Sequence, residues 1–169
     1  MEINSKAALF SEAGKPMELI DHKLSGKVDS GSVVCKVIMS TICGSDLHTI
    51  SGRRTEPAPL ILGHEIIGEI VELGEGIQRD GFGDTVAIGD RISWSVMACC
   101  GNCFFCKHDL PQKCENLRKY GHTCFNDHPH LTGGYSEYIC LYPGTAIYKI
   151  PEGISDEIAT PANCALSTV

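Results

Sequence analysis

Cys100, Cys103, Cys106 and Cys114 stand in the spacing C-x2-C-x2-C-x7-C. Four thiolates this close in sequence can converge on one tetrahedral ion without closing a long loop. Gly101 permits a tight turn between the first two. Iron–sulfur proteins also use C-x2-C-x2-C, but their fourth cysteine comes sooner and is followed by proline. Here seven residues intervene and Glu115 follows. The pattern favours a closed structural zinc site in a lobe over residues 99–114. Cys99 lies off the spacing and is read as a bystander.

A second, dispersed set is weaker residue by residue. Cys43-Gly44-Ser45-Asp46-Leu47-His48 puts a thiol, a hydroxyl, a carboxylate and an imidazole within six residues. His64 has Glu65 beside it, and Cys164 comes far along the chain. Two thiolates and one imidazole leave a fourth zinc position open, the pattern of a catalytic metal. Singly, each of the three is as well read as a small or hydrogen-bonded core residue. Only their joint occurrence points to chemistry.

Alternation and turn residues predict the elements that must position these groups. Strands are expected at residues 6–10, 17–21, 32–40, 63–73, 91–96, 135–141 and 146–150. Residues 32–40 read as buried on both faces, with Val33, Cys35, Val37 and Met39 on one side and Val34 and Ile38 on the other. Gly68 inside a strand signals a bulge or a close backbone approach. Residues 43–48 read as a loop or single helical turn, and 75–90 as a turn and loop. Residues 120–134, polar and rich in His and Gly, read as an exposed loop. Ser155 is placed to cap a short helix, with Asp156 and Glu157 in its first turn. The fold class is mainly β, short strands curled into a barrel with a few helical turns.

The 169 residues fit one domain, and 18 glycines with eight prolines favour turns over long helices. The net charge of −7 argues against a nucleic-acid partner, which would call for a basic face. No run approaches a membrane span, and Met1 to Lys6 do not read as a signal peptide. Ten cysteines without a secretory signal point to metal binding, and the cytoplasm is the expected compartment.

The order C-G-S-D-x-H, G-H-E-x-x-G, G-D-R, C-x2-C-x2-C-x7-C and G-G-Y-S-E-Y resembles the zinc-containing medium-chain alcohol dehydrogenases over nearly the whole chain. The resemblance implies a GroES-like β-barrel with a zinc-binding lobe. It implies Cys43, His64 and Cys164 as catalytic zinc ligands, Glu65 as the carboxylate beside the metal, and Asp46 as the group orienting the histidine. It implies Ser45 as the hydroxyl bonded to substrate oxygen and His48 as the end of a proton relay. The chemistry would be alkoxide formation at zinc, then hydride transfer to NAD or NADP.

Substrates would be small alcohols, aldehydes or ketones, and the full-length enzyme a homodimer or homotetramer. The family continues into a Rossmann domain with G-x-G-x-x-G, which these 169 residues lack. The chain is therefore expected to be truncated before its nucleotide-binding domain, and inactive alone. In a polyol or amino-alcohol branch, Glu65 would replace Cys164 as third ligand. A non-catalytic zinc-stabilised binding module would need only the four-cysteine lobe. Y-G-H-T at 120–123, P-G-T-A-I at 143–147 and P-A-N-C at 161–164 resemble dehydrogenases associated with phosphonate metabolism. His122, His128 and His130 could contact an anion there or simply face solvent.

Overall fold

The computed structural model describes residues 2–168. In chain order the elements are β1 (Glu2–Phe10), β2 (Glu18–Ser25), β3 (Val33–Thr41), α1 (Gly44–Ile50), β4 (Leu60–Ile61) and β5 (Glu65–Leu73). They continue with β6 (Arg91–Trp94), β7 (Met97–Ala98), α2 (Phe104–Lys107), β8 (Arg118–Lys119), β9 (Tyr138–Leu141), β10 (Ile147–Lys149), α3 (Asp156–Ala159) and α4 (Ala165–Thr168). One sheet runs β2-β1-β4, a second runs β10-β6-β5-β3-β9, and β7 pairs with β8. All the pairings are antiparallel.

Residues 135–137 stitch the two larger sheets into a barrel. Ala8 N–H donates to Tyr135 O at 2.8 Å, Glu137 N–H to Lys6 O at 2.9 Å, and Val37 N–H to Glu137 O at 2.8 Å. That double use is why β9 begins three residues later than the alternation suggests. The period of two in β3 serves both sides of the barrel wall. Val33 and Cys35 pack with Ile66, Ile70, Ile92, Trp94 and Leu141. Val34 packs with Ala7, Leu24, Ile61, Leu131 and Cys140.

Farther along β3 the expectation of burial on both faces fails. The register shifts between Val34 and Cys35 and again between Val37 and Met39, and Ile38 is turned out to solvent. Each extra residue re-aims the side chains that follow it. Gly68 sits opposite Val37 in this stretch. A Cβ there would stand 2.8 Å from Lys36 O and 2.9 Å from Cys35 Cβ, so it marks a close approach of backbones.

Residues 120–134 are not an exposed loop. Tyr120, Leu131 and Thr132 are buried, and the Tyr120 hydroxyl accepts Tyr142 N–H at 2.9 Å and bonds Thr145 Oγ1 at 2.6 Å. Mean polarity hid a few buried anchors, of which Tyr120 has its hydroxyl satisfied. Of the histidines there, His128 is exposed, His130 half-buried and His122 nearly enclosed. Strands β4, β7 and β8 are two residues each, too short to show periodicity. Ser155 holds the extended backbone of a cap residue but makes no side-chain cap bond, and α3 is one turn long. Among the described residues no helix is long and apolar enough to cross a membrane.

Candidate metal centres and active site

The turn at residues 43–48 is in fact the start of a seven-residue helix, α1, and its geometry explains the local sequence. Cys43 is the cap residue, with extended backbone at φ −85° and ψ 156°, so its thiol projects from the helix start. The Asp46 carboxylate folds back to accept Cys43 N–H at 2.9 Å. Its other oxygen accepts Gly63 N–H at 3.3 Å, and the Tyr135 hydroxyl donates to the first, Oδ2, at 3.1 Å. Asp46 is fully buried. It ties the helix, the segment before β5 and the barrel stitch to one point.

Gly63 is the residue this hub requires. Its φ is +90°, and a Cβ would lie 2.7 Å from the Tyr135 ring. No other residue type tolerates both demands at low cost. The next residue, His64, is thereby delivered to the site, with Nδ1 3.4 Å from Asp46 Oδ1 and Nε2 3.2 Å from Ser45 Oγ. The Nδ1 contact is too long for a full hydrogen bond, yet Asp46 is the charge that faces that nitrogen.

Cys43, His64 and Cys164 each offer a ligand atom, and these atoms lie within 4.8 Å of one another. Burial works against ionising Cys43, but hydrogen bonds from Ser45 and the neighbouring His64 hold its thiol below the ordinary value. Burial lowers the pKa of His64, but Asp46 and Cys43 outweigh it and raise it. Burial likewise opposes the Asp46 charge, but His64 and the N–H groups of Cys43 and Gly63 keep its pKa low. Cys164 is pushed up to about 11 by burial and by the nearby Cys43 and Glu65. Two thiols, an imidazole and a buried carboxylate thus meet at one point, a donor set of the kind that binds a metal ion.

Glu65 is buried and accepts Thr41 Oγ1 at 2.5 Å. It is near enough to Cys164 to raise its pKa, yet it is outside the set of converging ligand atoms. His48 lies one turn beyond Ser45 on α1 and is exposed. No hydrogen bond joins their side chains among the described residues.

Sequence reasoning does not place two neighbours at this site. Tyr135 reads as a strand residue of the G-G-Y-S-E-Y motif, although its hydroxyl belongs to the Asp46 hub. His122 reads as an anion contact or a solvent-facing residue of a polar loop, yet its ring centroid lies 5.1 Å from that of His64. Replacing Tyr135 with Phe should cost about 1.5–3 kcal/mol, the worth of a hydrogen bond to a charged acceptor. Urea unfolding followed through the single tryptophan, Trp94, would measure it; an unchanged midpoint would remove Tyr135 from the hub.

The ligand atoms of Cys100, Cys103, Cys106 and Cys114 also lie within 4.8 Å of one another. Cys103 and Cys106 sulfurs are 3.5 Å apart, as are those of Cys114 and Cys100. A tetrahedron with metal–sulfur bonds of about 2.3 Å has edges of about 3.8 Å, so little movement is needed. Backbone N–H groups of Asn102 and Cys103 pull Cys100 down to about 6. Burial pushes Cys106 up to about 12, and Cys103 reinforces it. Cys114 Sγ accepts N–H from Cys100 and Asn116, each at 3.3 Å. Amide donors aimed at sulfur suit thiolates, which an ion would share.

Comparison with known proteins agrees with this architecture. Residues 29–152 match the alcohol dehydrogenase GroES-like domain. The chain is 35% identical over 140 residues to 5-exo-hydroxycamphor dehydrogenase of Pseudomonas putida, covering 82% of this chain and 38% of that one. It is 35% identical over 162 residues to D-arabinitol dehydrogenase 1 of Uromyces fabae, covering 94% and 42%. An alcohol dehydrogenase from Thermotoga maritima superposes with a TM-score of 0.86 at 31% identity, over 98% of this chain and 46% of its own. The chain thus spans less than half the length of these relatives. A family match over most of the residues, on a barrel of the same shape, places the chain in the zinc-containing medium-chain alcohol dehydrogenase family, whose GroES-like domain it carries.

Proposed function

We propose that the chain is the zinc-binding catalytic domain of an NAD(P)-linked alcohol dehydrogenase. Cys43, His64 and Cys164 would hold the catalytic ion, and Cys100, Cys103, Cys106 and Cys114 a structural one. The convergence of the first three ligand atoms within 4.8 Å carries the reading. The donor sets fit zinc: two thiolates and an imidazole with one position open, and four thiolates with none. Cys164 rather than Glu65 would be the third ligand, because Glu65 lies outside the converging set.

When bound, the ion supplies Lewis acidity that eases loss of an alcohol proton, and nicotinamide held by another domain supplies the hydride acceptor. The chain's own residues do the rest. Ser45 Oγ, 3.2 Å from His64 Nε2, is placed to hold the substrate hydroxyl and take its proton. His48, exposed on the next turn of α1, would release that proton to solvent once a bridging group closes the gap to Ser45, since no hydrogen bond among the described residues joins the two side chains directly. Asp46 keeps His64 in one orientation, as carboxylates do for metal-binding imidazoles.

Metal analysis of the purified chain should give two zinc ions, and Cys43→Ala should lose the more labile one. Cobalt substitution would report each site separately through its thiolate absorption. A single tight ion indifferent to Cys43→Ala would leave a non-catalytic binding module in its place. Iron with acid-labile sulfide would remove the zinc assignment.

A further inference from the structure

Beside the candidate active site, a cleft of about 280 Å³ is lined by Arg54, Glu56, Arg118, Lys119, His122 and Asp127, among others. His122 belongs to both places: it lines the cleft, and its ring lies 5.1 Å from that of His64. The cleft and the candidate centre thus share this ring as a common wall. The cleft carries three permanent cations against two carboxylates, on a chain whose net charge is −7.

Both carboxylates are already engaged. Glu56 is nearly buried, with Oε1 at 2.5 Å from Arg54 Nε and 3.0 Å from His122 Nδ1. Asp127 lies 3.6 Å from Arg118. Each guanidinium offers five N–H donors, so one carboxylate contact leaves most of them free. Lys119 is exposed and has no acidic partner among the described residues. The acids thus fix the direction of two arginines without exhausting them, and the surplus in the cleft is of donors and positive charge. Planar donors held in place are the usual means of grasping an oxyanion.

We propose that this cleft is an oxyanion-binding subsite that seats a carboxylate or phosphoryl group carried by the alcohol substrate. The substrate assignment rests on the adjoining centre being the reacting site. Arg54 and Lys119 are the grasping groups, Glu56 positions Arg54, and His122 forms the inner wall between the anion and the metal ligands.

An amide NMR titration of the zinc-loaded chain with inorganic phosphate, and separately with acetate, tests this. Saturable shifts should concentrate on Lys119, His122 and Thr123, and should weaken as salt is raised. Tighter phosphate binding would assign a phosphoryl group, tighter acetate binding a carboxylate. Lys119→Gln and Arg54→Gln should each weaken the preferred anion by roughly tenfold. If Arg54→Gln fails to fold because Glu56 loses its partner, the exposed Lys119→Gln still decides. Cobalt absorption at the Cys43 centre should stay unchanged in Lys119→Gln, which separates loss of the subsite from loss of the metal. Absence of saturable shifts with either anion, or shifts indifferent to Lys119→Gln, would overturn the subsite. Anion binding intact with no metal at Cys43 would overturn the catalytic reading and the substrate role together, leaving the subsite itself standing.

Discussion

Cys114→Ser should leave the chain with one zinc ion instead of the two proposed for the wild type, and should open residues 99–114 to proteolysis. The lobe contains only α2, a single turn at Pro111–Lys113 and irregular backbone, so it buries little apolar surface of its own. On the proposed reading, its order comes from the four sulfurs. Binding of a structural zinc is worth on the order of 10 kcal/mol, and in a lobe without a core that binding energy is folding energy. Serine presents a harder, protonated oxygen where two N–H donors now meet Cys114 Sγ. The barrel should survive, because its apolar clusters are built from strands outside the lobe. Far-UV circular dichroism should therefore change little while limited digestion cuts inside 99–114. Full zinc content with undiminished protease resistance there would mean the four cysteines do not form one site.

Asp46→Ala should lower stability by about 3–5 kcal/mol, the cost of removing one side of a buried charged network. The change strands Cys43 N–H, Gly63 N–H and the Tyr135 hydroxyl, all of which donate to this carboxylate. It also removes the charge facing His64 Nδ1. Metal affinity at the Cys43 centre should fall by about 10–100-fold, the usual penalty for losing such a partner. Asp46→Asn keeps the acceptor oxygen and should fall between wild type and Ala in both measurements. Chemical unfolding and a competitive chelator titration read the two effects independently. A normal unfolding midpoint in Asp46→Ala would show that the hub is incidental to stability, and unaltered metal affinity would break its link to His64.

Local pattern made the four-cysteine lobe and most of the barrel legible. The lobe's ligands lie within fifteen residues, so spacing alone brings them into reach. The strands β1, β2, β3, β5, β6, β9 and β10 announced themselves through alternation, but their boundaries moved by up to four residues. Strand β1 begins already at Glu2, β2 runs on to Ser25, and β9 starts only after Tyr135–Glu137, which serve two neighbours. Family resemblance, rather than spacing, singled out Cys43, His64 and Cys164. Nothing local distinguishes them from ordinary core residues.

The meeting of those three was decided by tertiary structure, because it depends on where β5, α1 and the segment after α3 come to lie. The same is true of Tyr135, whose hydroxyl reaches Asp46 only because residues 135–137 close the barrel over Gly63. Residues 120–134 show the physical limit most clearly. Their average polarity suggested solvent, but Tyr120 and Leu131 are fully buried and His122 lies against His64. Burial depends on what the rest of the chain places above a residue, and that information is absent from a window of neighbours. The sequence therefore determined the ligand types, the local lobe and the strand-rich fold. The three-dimensional packing alone decided which distant side chains share a site and which cations line the cleft beside it.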